Sequence, residues 1–244
     1  RAAAGRRAKL DPEDIPHKLE KLLALPKRSD PPHYRVLRAR GLKNRQDLKQ
    51  STFALETEGG VQALLHIFAD RTFQHFPVDP SALLYIPHTS SQADAEAGLL
   101  PNAECVFALD VRGLGRARAR TCEDEDLFSS YGSDYFYASQ GHLLGESYCG
   151  RRVHDVLSCL DLLASRDYKA VHLVGRGLGS VLATFAAVLH RLVQEVTLRN
   201  ALLSFHELTQ VPVQSWPLSS MVYGILRRLD LPDCFRLLRT KRLS

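Results

Sequence analysis

An α/β fold is predicted, with a mostly parallel sheet, an antiparallel N-terminal hairpin and helices on both faces. Three observations predict it. Two alternating stretches, Gln50 to Glu58 and Val61 to Phe68, flank Gly59-Gly60, which is a hairpin signal. Downstream, short apolar runs alternate with helical patterns, as in a parallel sheet covered by helices. Tyr168 to Leu192 reads YKAVHLVGRGLGSVLATFAAVLHRL: an apolar run, a glycine-punctuated turn and an apolar helix.

Taken in order, residues 1–16 are rich in Ala, Arg and Pro. His17 to Leu25 sets Leu19, Leu22 and Leu23 at helical spacing and ends at Pro26. Pro31 and Pro32 mark a linker, and Tyr34 to Leu37 is a first short strand. These features separate a basic extension over residues 1–49 from a core over residues 50–244. After the hairpin, Ala82 to Ile86 is a buried-type run closed by Pro87. Ser91 to Leu99 is a connecting helix, and Val106 to Leu109 is a further buried strand. Cys122 to His142 is a long loop, acidic and then aromatic. Leu143 to Ala164 is a long helix, with Cys149, Val153, Val156, Leu157, Leu160 and Leu163 at helical spacing. Strand Ala170 to Val174, helix Ser180 to Leu192 and strand Val196 to Leu203 follow. Met221 to Leu229 and Cys234 to Leu238 supply two short helical stretches.

A chain of 244 residues, 45% apolar and 24% charged, suits one globular unit with an extension. No run of 18 apolar residues occurs, so no spanning helix is expected. The chain opens at Arg1 with no leader pattern, as a processed form or a fragment would. Its net charge of +5 is uneven. Residues 1–50 hold 14 Lys/Arg against 6 Asp/Glu, residues 51–226 hold 12 against 19, and residues 227–244 hold 6 against 2. Basic ends on an acidic middle do not make the motif-linked stripe of a nucleic-acid domain. They read as a solvated extension first, and as one docked on the acidic core second. Five cysteines without C-x-x-C indicate neither a metal site nor a disulfide framework, and they leave the compartment open. His142, His154, His172, His190 and His206 lack ligand spacing, so no metal or cofactor is expected.

Strand, sharp turn and helix form the setting of a nucleophile elbow, G-x-S-x-G. The turn here is Gly175-Arg176-Gly177-Leu178-Gly179, with glycine at the nucleophile position. Glycine takes that strained backbone at no steric cost. An elbow that has lost its attacking atom would look like this. The same letters also read as a dinucleotide turn, G-x-G-x-x-G/A, with Ser180 in the third glycine position. That motif wants an acid near the end of the next strand, where Arg199 and Asn200 stand. The elbow ranks above it. A plain glycine-rich βα turn of another α/β fold fits about as well as the elbow.

Ligands gather at the carboxyl ends of strands in open α/β sheets. Pro87-His88-Thr89-Ser90 closes one such strand, in the loop that donates an oxyanion-hole N–H in a hydrolase. Thr89 is a candidate donor and His88 a pocket residue, although an ordinary polar turn accounts better for Thr89. Asp110 and Arg112 follow a second strand and can brace loops by charge-assisted bonds, which is preferred to a catalytic role. The Leu178 N–H at the elbow would be the second oxyanion donor. Phe128, Tyr131, Tyr135, Phe136 and Tyr137 either wall a pocket that stacks on a sugar ring or cover a sheet edge. His88, Thr89, Leu178 and the segment around Tyr135 are expected to share one cleft.

With these residues the chain resembles the α/β-hydrolase superfamily, and within it acetylxylan esterases and similar sugar-ester deacetylases. The likeness lies in Leu83-Leu84-Tyr85-Ile86-Pro87-His88, in Asp110-Val111-Arg112-Gly113-Leu114-Gly115 and in the Gly175 to Gly179 elbow. It extends to Leu144-Gly145-Glu146 and Leu229-Asp230-Leu231-Pro232-Asp233. The resemblance implies a Ser–Asp–His triad acting on acetyl esters of polysaccharide without a metal, in a secreted or periplasmic protein. Two departures follow. Gly177 stands where the serine belongs. The implied acid and histidine follow later strands, yet after Val196 to Leu203 only His206 remains and no further strand is expected. The expectation is a carboxylic ester hydrolase-like pseudoenzyme with a degenerate elbow, lacking the final strands. It would take an acylated sugar or another small molecule, with no nucleic acid and no membrane span. A non-enzymatic interaction module on the same fold stays open, as does a less favoured dinucleotide-binding oxidoreductase.

Overall fold

Period-two patterning builds the hairpin across Gly59-Gly60. A computed structural model describes residues 10–28, 30–42, 45–119 and 134–244. In it β2 (Lys49–Glu58) and β3 (Val61–Ala69) pair antiparallel. Phe53, Leu55, Ala63, Leu65 and Ile67 point to one face, as alternation demands. β1 (His33–Gly41) adds a third antiparallel strand, longer than Tyr34 to Leu37 and interrupted by a bulge between Val36 and Arg38. Then come β4 (Ser81–Ile86), β5 (Cys105–Asp110), β6 (Ala170–Arg176) and β7 (Val193–Arg199). The seven strands lie in the order β1-β2-β3-β5-β4-β6-β7. Pairs β5/β4, β4/β6 and β6/β7 are parallel, so ligand-facing strand ends gather on one edge.

The two faces are covered unequally. The larger core joins the sheet to α1 (Asp14–Leu22), α4 (Tyr148–Ser165), α5 (Leu178–Leu189) and α7 (Leu231–Leu238). The smaller core holds Phe68, Tyr85, Val106, Ala108 and Val174 under α2 (Ser91–Glu96), represented by Ala95. α5 is apolar nearly all round because it is sandwiched between the sheet, α4 and α7. α1 and β1, assigned by sequence to the extension, contribute Ile15, Leu19 and a full edge strand.

Several boundaries differ from expectation for local reasons. α4 starts at Tyr148, not Leu143, because the Ser147 hydroxyl caps it by accepting the Gly150 N–H at 3.0 Å. The part of Cys122 to His142 before Asp134 lies outside the described residues, including Cys122, Phe128 and Tyr131. The rest is not a loop but α3 (Asp134–Leu143). Met221 to Leu229 makes only a 3-10 turn over Ile225–Arg227, because Gly224 at φ 72° breaks the helix. β7 ends at Arg199 rather than Leu203, and Asn200 turns out at φ 51°. Beyond α6 (Phe205–Leu208) and α7, Leu243 forms a parallel bridge to Val196, where no further pairing was expected. The Leu198 N–H donates to the Ser244 carbonyl at 2.8 Å.

A fully buried arginine ties α4 to its neighbours. Arg152 donates to Asp134, to Ser219 Oγ at 2.8 Å and to the Arg112 carbonyl at 2.9 Å. Its guanidinium lies 4.6 Å from the Tyr148 ring centroid.

The C-terminal end of α1 packs closely against one glycine of α4. A Cβ on Gly150 would collide with the Leu23 backbone, lying 2.7 Å from its carbonyl carbon. Gly150→Ala should therefore cost about 2 kcal/mol or more and loosen α1. Thermal melting and limited proteolysis near residues 23–28 check this, and an unchanged Tm with intact protection would refute the docking.

Candidate functional site

The turn after β6 is made by backbone-to-backbone packing. A Cβ on Gly175 would lie 2.7 Å from Ser180 Cα and 2.8 Å from Ala183 Cβ. On Gly179 it would lie 2.7 Å from the Pro87 carbonyl oxygen and closer to that of Ile86. Glycine alone fits both places, so β6, α5 and the end of β4 meet without side chains between them. Gly177 sits between them at φ 55° and ψ −122°, a region a side chain enters only under strain.

His88 lies against the middle glycine of this turn. A Cβ on Gly177 would lie 2.8 Å from His88 Cγ and nearer still to Nδ1. That Nδ1 accepts the Leu178 N–H at 3.0 Å. An accepting Nδ1 means a neutral ring protonated on Nε2. Burial lowers the His88 pKa, the Arg176 guanidinium lowers it further, and Asp94 opposes them. Arg176 donates to Asp94 Oδ1 at 3.0 Å, and Asp94 also accepts the Tyr85 hydroxyl at 2.6 Å. Burial and this bond push the Tyr85 phenol well above its ordinary value. His88, Arg176, Gly177, Asn200, Ser215 and Trp216 line a cleft of about 260 Å³. Ser180, one residue into the helix, is 1% exposed, and its Oγ donates to the Gly177 carbonyl at 2.6 Å. Its hydroxyl is turned away from attack.

The remaining sequence candidates fall elsewhere. Thr89 is exposed and lies outside the set lining the cleft; its carbonyl accepts the Gly115 N–H at 2.7 Å. Asp110 is fully buried and accepts the Ser91 N–H at 2.8 Å, the Arg116 N–H at 3.2 Å and His66 Nε2 at 3.3 Å. Burial raises its pKa, but the His66 hydrogen bond and charge and the Ser91 bonds outweigh this and hold the carboxyl below its usual range. Arg112 grips Asp155 and Glu58. Asp110 and Arg112 thus brace loops. The expectation of one shared cleft is corrected. Tyr137 and Arg112 line a second hollow of about 470 Å³ with Glu58, Tyr148 and Arg151, because α3 stacks Tyr137 on Tyr148 at 6.0 Å. Tyr135 packs edge-on against Phe136 and lines neither hollow. His206 is half-buried in α6 and is not a cleft residue. Asn200, Ser215 and Trp216 were not anticipated. Their one sequence signal is that Trp216 is the single tryptophan, set before Pro217 in a polar stretch.

For a dinucleotide, the start of α5 would have to receive a pyrophosphate. The Leu178 N–H is already bonded, and the Ile86 and Pro87 carbonyl oxygens crowd Gly179.

No known family profile matches the chain, and no curated protein matches it. Solved structures do. One is a Bacteroides fragilis protein assigned as an acetyl xylan esterase: TM-score 0.73, 12% identity, covering 95% of this chain and 66% of that one. Another is the acetyl xylan esterase from Paenibacillus sp. R4: TM-score 0.56, 16% identity, covering 96% and 74%. The chain spans just under two thirds of the first structure's length. At such identities the likeness establishes the architecture, and the chain has an α/β-hydrolase fold.

Two outcomes follow from the His88 contact. Gly177→Ala should destabilise by about 2 to 4 kcal/mol, through backbone strain and collision with the imidazole. Combining it with His88→Ala should return about 1 kcal/mol or more relative to additivity. A double-mutant cycle by urea melting decides, and strict additivity would mean the ring does not hold that space. The second outcome concerns pH. Because the folded His88 pKa lies below 6.5, the unfolded chain takes up its proton first as pH falls through that value. Stability from this group is full above 6.5 and declines below it. In His88→Gln this part of the slope should vanish, as Tm profiles would show.

Proposed function

We propose that this protein is an acetylxylan-esterase-like member of the α/β-hydrolase fold that binds acylated sugars without hydrolysing them by a serine mechanism. The observation that carries the proposal is His88, whose ring occupies the nucleophile's space and whose Nδ1 accepts the amide that would otherwise hold an oxyanion. An acyl-transfer site needs a hydroxyl at the elbow, a base beside it and free donors facing the developing charge. Here the elbow position has no side chain, and the neighbouring Ser180 hydroxyl is bonded to a carbonyl. The imidazole at the elbow acts as an acceptor for the backbone. The cleft keeps the size and lining to take a small polar group. Trp216 offers a stacking face, and Asn200, Ser215 and Arg176 offer polar contacts. The likeness to acetyl xylan esterases points the ligand class toward acetylated xylo-oligosaccharides. The dinucleotide reading ranks lower, since the start of α5 is already occupied.

The single tryptophan lines the cleft, so its emission reports binding directly. Acetylated xylo-oligosaccharides should shift Trp216 fluorescence saturably, and deacetylated ones should do so more weakly. Acetate release should stay at the buffer rate for the wild type and for Gly177→Ser, because a hydroxyl without its base is a weak nucleophile. Turnover well above buffer, lost on changing one serine, would end the non-hydrolytic reading. An unresponsive Trp216 would end the sugar-ester assignment.

A further inference from the structure

We propose that the protein carries a second binding site, for a phosphate ester, in a hollow between β1, β3 and the segment after β5. The hollow measures about 390 Å³ and is lined by Arg38, Arg116, Arg118, Thr52, Gln62 and Leu64 among others. It shares no lining residue with the His88 cleft. Of its three lining arginines, Arg38 comes from β1, and Arg116 and Arg118 come from the segment after β5; Arg35 and Arg40 flank Arg38 on the strand without lining the hollow. Arg35, Arg38 and Arg40 oppose Ala54, Thr52 and Gln50, alternate positions of β2, so all three project on one face. Neither Arg35 nor Arg38 makes an ion pair or hydrogen bond among the described residues. Arg40 is held by amide oxygens, Gln50 Oε1 at 3.4 Å and Gln92 Oε1, not by a carboxylate.

The floor is rigid. Thr52 Oγ1 lies 3.0 Å from His66 Nδ1, His66 Nε2 lies 3.3 Å from Asp110 Oδ2, and that oxygen accepts the Arg116 N–H at 3.2 Å. A buried chain therefore joins the β2 wall to the backbone that carries Arg116. Such preorganisation reduces the ordering that binding would otherwise require. Guanidinium groups present paired N–H donors that match the oxygens of a phosphate, and Leu64 gives the ester's organic part an apolar wall. Two sources could supply this chemistry: a soluble phosphate ester, or a phospholipid headgroup met by the exposed Val36 and Leu37 of the edge strand.

The test uses the full chain with a hexose phosphate, inorganic phosphate, and vesicles of phosphatidylcholine with and without phosphatidic acid. The hexose phosphate should bind saturably by calorimetry. Arg38→Gln should weaken it about tenfold and Arg38→Lys much less, since charge remains but the paired donors are lost. The Arg38 side chain is exposed and makes no hydrogen bond or ion pair among the described residues, so these variants should melt like the wild type. Arg38-dependent binding to phosphatidic acid vesicles alone supports the same site with a lipid source. The proposal is overturned if neither probe binds, or if binding survives both Arg38→Gln and Arg116→Gln unchanged.

Discussion

The chemistry of the cleft depends on one hydrogen bond, from the Leu178 amide to His88 Nδ1 at 3.0 Å. That amide heads the buried helix α5. Leaving it unmet would cost about 1 to 3 kcal/mol. The imidazole must stay neutral to accept, and its surroundings keep it so. It is half-buried and faces the Arg176 cation, with Asp94 pulling only partly the other way. Arg176 in turn is held by Asp94, which Tyr85 also binds. The elbow, the end of β4 and α2 are thus locked by a single connected set of polar contacts. The lock engages the first backbone donor of α5.

Two buried carboxylates do comparable work on the neighbouring loop. Asp110 ends β5 and collects backbone donors from Ser91 and Arg116. Asp155 in α4 accepts the Arg112 N–H at 2.9 Å and its guanidinium, and also takes the Thr57 hydroxyl at 2.6 Å. Breaking such a pair from one side is costly because the other charge stays buried. Both lie at the edge where parallel strands end. The loops there are held from below by charge and from the side by Arg152.

Much of the architecture was legible because it follows from periodicity. The alternation of β2 and β3, the apolar run of β6 and the nearly all-apolar α5 each state their own burial. The turn at Gly175 to Gly179 was legible because glycine spacing reports close approach. What was not legible depended on partners far away in sequence. Nothing local says that His88 would lie over Gly177, 89 positions later in the chain. Trp216 reaches the cleft through a stretch without regular structure, where no period guides a reading. Tyr137 lines a hollow other than the His88 cleft, since it stacks on Tyr148 and the helix it sits on has a weak apolar face. β1 was underestimated since an edge strand exposes most of its residues and shows little apolar alternation.

The flanking glycines of the turn are explained by packing alone. Gly175 and Gly179 are required by contacts with Ser180, Ala183, Ile86 and Pro87, all of which are packing contacts. Any substitution there would pry α5 from β6 and open the center of the core. Their presence is explained whether or not a nucleophile stands between them. The middle position is different, because a Cβ there would meet the His88 ring and not the packed backbone of β4 and α5. A serine there contributes a reacting atom and costs backbone strain, whereas glycine removes the strain and makes room for an imidazole. Because His88 lies in that room and accepts the Leu178 amide, any side chain at position 177 would meet the ring as well as the strain. The packing that sets the shape of the turn therefore also favours glycine at its middle position.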